Sequence, residues 1–145
     1  MQTIAFWTIQ GPGWVLLAYL AYAQCVSALN YRLGVRMGTQ EPASQITEVG
    51  VAFWWGLAVA DLVFYVPLLG AGLIGHWIAA PWGNLLLAGA LAITVYWPVA
   101  SLATVHGARG ADGWQLPKER DYWIVLPVIT LWALWGLWLL VASAR

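Results

Sequence analysis

One carboxylate inside an otherwise apolar run offers the clearest chemistry in this sequence. Asp61 lies in EVGVAFWWGLAVADLVFYVPLLG, residues 48–70. At bilayer depth an Asp costs on the order of 3 kcal/mol on insertion scales, so it faces a bundle interior or a wet cavity and takes a partner. It lies about 20 Å along a helix from Glu48 at about 1.5 Å per residue, which predicts a position toward the outer leaflet. Counting inward from the other helix ends brings Tyr19 or Tyr22, and Trp132 or Trp135, to the same level. Their O–H and N–H groups are donors able to satisfy a carboxylate, and no Lys or Arg falls at that depth. Asp61, Tyr22, Trp132 and Trp135 are therefore the candidate ligand- or ion-binding set. Proton or cation coupling, or the anchoring of a ligand's polar group, is the chemistry they offer; a structural hydrogen bond that fixes helix register is the alternative.

A second set lies among the loop charges. Arg32, Arg36, Glu48, Arg109 and Asp121 all map to one side of the membrane, with Glu41, His106 and Lys118 nearby. Paired arginines with carboxylates bind a phosphate headgroup or support acid-base chemistry, whereas solvated loop charges are the simpler account. No metal site is expected. His76 and His106 fall at opposite ends of the membrane and cannot jointly ligate a haem, and Cys25 is alone. The sequence contains no H-E-x-x-H, G-x-S-x-G or phosphate-binding glycine loop, and it names no cofactor.

The elements that position these residues follow from composition. The chain is 62% hydrophobic and only 8% charged, and its six basic and six acidic residues cancel, which marks an integral membrane protein and argues against a nucleic-acid partner. Four apolar runs, about 12–31, 49–70, 83–105 and 122–142, each have the roughly 20 residues that span about 30 Å of hydrocarbon. Residues 1–145 read as a single transmembrane domain. Residues 2–10 are too few to span; they lie at the interface or extend the first helix beyond the Gly11-Pro12-Gly13 break. Ala21-Tyr22-Ala23 resembles the end of a secretory signal, but residues 1–10 carry no Lys or Arg, so the first run is read as a membrane helix.

Arg32 and Arg36 fall in the first loop, and Arg109, Lys118 and Arg120 in the third, with none in the second. The positive-inside rule makes these two loops cytoplasmic and puts both termini outside, with Arg145 snorkelling at the outer surface. The expected fold is all-α: a four-helix membrane bundle of two helical hairpins. Gly34, Arg36 and Glu48 recur as Gly107, Arg109 and Asp121 at one constant offset, which suggests a duplicated hairpin; the common preferences of helix ends explain the same pattern. If the hairpins are duplicated, the counterpart of Asp61 is Leu134, so the carboxylate belongs to one hairpin only. Close helix approach is expected at Ala18, Ala21, Cys25 and Ala28, at Ala88 to Ala92, and at Gly56 and Ala60, with a kink at Pro98.

Many of the twelve tryptophans form interfacial belts, while Trp132, Trp135 and Trp138 make a partial stripe able to pack against a flat hydrophobic ligand or another protein. With little soluble domain to house chemistry, the leading reading is a non-enzymatic subunit or hydrophobic-ligand binding module that meets membrane lipid. It assembles with itself or with a larger membrane complex. The alternatives are a small oligomeric transporter or proton-linked permease using Asp61, and a lipid-modifying enzyme with a cytoplasmic-face site. The membrane expected is a bacterial inner (plasma) membrane.

Overall fold

The computed structural model describes residues 4–143; Arg145 lies outside the described residues. The fold is an all-α four-helix bundle. Its helices are α1 (Ile4–Leu29), the short α2 (Tyr31–Arg36), α3 (Ala43–Ala60), α4 (Val66–Trp77), α5 (Gly83–Gly107) and α6 (Glu119–Ser143), and a π-helical turn, Asp61–Tyr65, fuses α3 to α4. Four helices are long and apolar enough to cross a membrane: Ile4–Leu29, Ala43–Trp77, Gly83–Gly107 and Glu119–Ser143. The chain is thus a small membrane protein of two antiparallel hairpins.

The first helix does not break at Pro12. Proline lacks an N–H, so the carbonyl four residues back loses its ladder partner. That carbonyl belongs to Thr8, and Trp132 Nε1 donates to it at 2.8 Å. Trp135 Nε1 donates to Thr8 Oγ1 at 3.2 Å. The helix therefore runs through Pro12 to Ile4, and residues 4–10 extend it.

A second proline explains the π turn. Pro67 cannot donate to Val63, and its ring crowds that carbonyl; the chain widens, and Val66 N–H reaches back five residues to the Asp61 carbonyl. The turn carries both Asp61 and Tyr65 to the buried side.

At the charged end, α3 is interrupted at Thr47, where φ is 65° and ψ 166°. A β-branched residue with positive φ is strained by about 1–3 kcal/mol. Contacts on either side hold it there: Gln115 N–H donates to the Gln45 carbonyl at 2.7 Å, and Ile46 pairs with Trp114 in an antiparallel bridge. Thr47 Oγ1 accepts from Gly50 N–H at 3.4 Å and so caps the spanning segment that follows.

The core runs between α4, α5 and α6, with Leu69, Leu73, Leu87, Leu91 and Ala133 fully buried. Glycines set how closely the helices approach. A Cβ on Gly72 would lie 2.7 Å from the Leu87 backbone nitrogen, and one on Gly83 would collide with the Gly75 carbonyl carbon. Close approach was expected instead at Gly56 and Ala60, but a Cβ on Gly56 meets nothing within 4 Å and Ala18 and Ala60 are exposed.

Candidate functional site

Opposite the packed α4–α5 seam, α1 and α6 meet where Trp132 caps Thr8. Between them and the charged loops lies a cleft of about 750 Å³. Its mouth is formed by Gly38, Thr39, Gln40, Glu41, Lys118 and Asp121, and its far end by Pro12 and Trp132. Leu16, Leu20, Trp54, Leu57, Trp97 and Ile129 make apolar walls. On α6 the lining runs from Asp121 to Trp132, about 17 Å at 1.5 Å per residue, close to one leaflet's share of about 30 Å of hydrocarbon. A cavity of this size, apolar with a few placed polar groups, has the build of a small-molecule site.

Of the three carboxylates that line it, Glu41 and Asp61 are each only 9% exposed. Asp61 is held by Gln24, whose Nε2 donates to Asp61 Oδ2 at 2.9 Å. Gln24 Oε1 is buried with no hydrogen-bond partner. Glu41 sits at the mouth and accepts from the Tyr122 hydroxyl at 3.0 Å, while its carbonyl accepts from the Tyr31 hydroxyl at 3.1 Å. Burial pushes the Glu41 carboxyl above its usual range, against the opposing pull of the Tyr122 hydroxyl and the Lys118 ammonium. Burial and the nearby Glu41 charge raise the Tyr31 phenol likewise. Trp54 stands on the same wall beside Tyr122, with ring centroids 6.0 Å apart; it is 8% exposed and its indole N–H has no partner.

The site differs from the set expected around Asp61. Of Asp61, Tyr22, Trp132 and Trp135, only Asp61 and Trp132 line the cleft, at different depths. Thr8, which Trp132 contacts, and Gln24, which holds Asp61, are about 24 Å apart along α1 at 1.5 Å per residue. Both indole donors are spent on Thr8. Tyr22 is 47% exposed and its hydroxyl lies 3.5 Å from Met37 Sδ. The helix ends from which depth was counted do not lie level. Trp55 Nε1 donates to the Ala28 carbonyl at 3.2 Å, and Glu48 lies about 10 Å further out along α3 at 1.5 Å per residue, beyond the end of α1. Asp61 is accordingly nearer the charged end than the count implied.

No hydrogen bond or ion pair among the described residues joins two members of the charged set. Arg109 pairs with Glu119, its Nε donating at 2.6 Å, and its guanidinium lies 5.5 Å from the Trp123 ring centroid. Among the described residues this is the only ion pair. Arg32, Arg36 and Glu48 are exposed, and Asp121 lies at the cleft mouth. No group of His, Cys, Asp or Glu among the described residues is arranged to hold a metal. Gln24 was the residue missed: a lone amide in LAYAQCVSAL carries the same signal as a lone carboxylate, a polar group in an apolar helix that needs a partner.

No family model, curated protein or solved structure matches the chain.

Proposed function

We propose that this protein is a non-enzymatic membrane binding module whose ligand is a hydrophobic or amphiphilic small molecule seated in the cleft between α1 and α6. The observation that carries the reading is the cleft itself: about 750 Å³ and apolar over most of its length, with two of its lining residues, Gln24 and Trp54, each keeping a buried polar atom, Gln24 Oε1 and Trp54 Nε1, that no described group satisfies. Leaving such atoms unpaired costs about 1–3 kcal/mol each, which a ligand's polar groups recover. The module works in a bacterial inner membrane, as a homo-oligomer or as a subunit of a larger complex.

A second reading is ion-coupled transport through Asp61. One observation favours it: the carboxylate stands on a π turn, an irregularity frequent at functional sites. The lipid-modifying alternative draws less support, because no hydrogen bond or ion pair among the described residues joins any two of its five residues.

Native mass spectrometry of protein extracted gently from its own membrane, with an absorption spectrum of the same sample, tests the leading reading. A stoichiometric non-lipid adduct, or a bound amphiphile lost in a Val125→Trp variant, supports it. A clean polypeptide with an unchanged adduct pattern in that variant overturns it. Flux driven by an ion gradient in proteoliposomes, abolished by Asp61→Asn, moves the assignment to transport.

A further inference from the structure

The ligand's chemical class follows from an imbalance of charge in the cleft, an inference that rests on the binding reading above. Glu41, Asp61 and Asp121 line it against a single cation, Lys118, at the mouth. Among the described residues none of the three carboxylates makes an ion pair. The other described cations are elsewhere: Arg32, Arg36 and Arg120 are exposed, and Arg109 is committed to Glu119.

The acceptors at Asp61 are also arranged for a donor with more than one hydrogen. Gln24, which lines the cleft with Asp61, spends Nε2 on its carboxylate, which leaves Gln24 Oε1 buried and, among the described residues, unpartnered. An ammonium group carries several N–H donors and a positive charge, so one such group satisfies both residues. A hydroxyl supplies one hydrogen and no charge; a quaternary ammonium supplies charge and no hydrogen. Beyond this pair the cleft is apolar as far as Trp132 and Pro12, which suits a hydrocarbon body.

We propose that the cleft binds an amine-bearing amphiphile, its protonated amine held between Asp61 and Gln24 and its apolar body lying between α1 and α6 toward Trp132.

The test uses the full chain in nanodiscs, read by native mass spectrometry and calorimetry against empty nanodiscs of the same lipid. The probes are dodecylammonium, dodecyltrimethylammonium and dodecanol, which share a chain and differ in head. Dodecylammonium should bind more tightly than dodecanol by about tenfold or more, the size of one charge-assisted hydrogen bond, with the quaternary compound between them. Asp61→Asn keeps an acceptor for Gln24 Nε2 and so preserves the local fold; it should bring the amine down to the alcohol's affinity. Gln24→Met, which removes the bare acceptor, should erase the advantage of the primary amine over the quaternary one. Equal binding of amine and alcohol, blocked for both by Val125→Trp, overturns the amine assignment while the cleft reading stands. No binding of any probe overturns both.

Discussion

Two seams of this bundle face each other across its core and are built on opposite principles. Between α4 and α5, Gly72, Gly75 and Gly83 bring backbone against backbone, and there is no room for even one added methyl group. Between α1 and α6 the side chains are large, yet the helices enclose about 750 Å³, and the hydrogen bonds that join them among the described residues both end on Thr8, from Trp132 and from Trp135. Within a bilayer, lipid is as apolar as leucine, so helices associate through close contact and hydrogen bonds rather than through hydrophobic burial. The glycine seam supplies that contact; the α1–α6 side forgoes it. A membrane protein with this much open interior on one side invests its stability on the other.

The largest effect expected from breaking that contrast is at the closed seam. Gly83→Leu forces the α4 and α5 backbones apart and should cost about 3 kcal/mol or more, at or beyond the top of the usual overpacking range. Thermal unfolding in detergent, followed by circular dichroism, should show the variant largely unfolded under conditions where the native chain is folded. Gly56→Leu is the control: the same substitution at a glycine with nothing within 4 Å should change stability by no more than about 0.5 kcal/mol. Equal losses at both positions would show that glycine content, not the α4–α5 contact, matters.

At the open seam the expected effects fall on binding rather than on stability. Val125, half exposed on the cleft wall, accepts a larger side chain without displacing the core. Val125→Trp should move stability by only about 0.5 kcal/mol and lower amphiphile affinity about tenfold or more, which calorimetry in nanodiscs reads directly. A variant that unfolds instead would show the α1–α6 side to be as tightly packed as the α4–α5 side.

Which of these features the sequence discloses depends on whether they are local or three-dimensional. Spans are local: a run of about 20 apolar residues must cross or be buried, and all four runs appear as helices. Asp61 is legible for the same reason, since a carboxylate within such a run needs a partner whatever the fold. Its partner was not. Depth counted from helix ends assumes that the ends lie level, and the extension of α3 past the end of α1 takes Glu48 out of that register. Small-residue spacing misled for a related reason. Gly56 and Ala60 have the pattern of a contact face, as do Gly72, Gly75 and Gly83; only the route of the chain through the π turn and the tight connection from Trp77 to Gly83 decides which glycines meet a neighbour. The Pro12 break was misjudged because Trp132, far along the chain, repairs it.

That repair yields a smaller, sharper measurement. Trp132→Phe removes the donor from the Thr8 carbonyl while keeping an aromatic ring, and should cost about 1 kcal/mol. Pro12→Ala restores a main-chain N–H to the same carbonyl, so in that background Trp132→Phe should cost little. The interaction energy of the double-mutant cycle isolates the cap from the packing of the ring. Additive losses would mean that Trp132 joins α1 to α6 by packing alone.

The smallest effect lies at the mouth of the open seam. Burial raises the Glu41 carboxyl above its ordinary range, with the Tyr122 hydroxyl and Lys118 opposing the shift. A carboxyl raised on folding binds its proton more tightly in the folded chain. Its contribution to stability is therefore fully present below the ordinary glutamate value of about 4.3 and is lost as pH rises through the folded value. Glu41→Gln keeps an oxygen for the Tyr122 hydroxyl and never ionises. Thermal midpoints in detergent should thus show the Gln variant gaining on the native chain as pH rises from 4 toward 7, by roughly less than the 1 kcal/mol of a single hydrogen bond. A native chain that gains on the variant over the same interval would mean that Tyr122 and Lys118 outweigh burial and stabilise the carboxylate. The mouth of the cleft would then be a place for an anion already matched by the protein, and its vacancy of cations would belong to Asp61 alone.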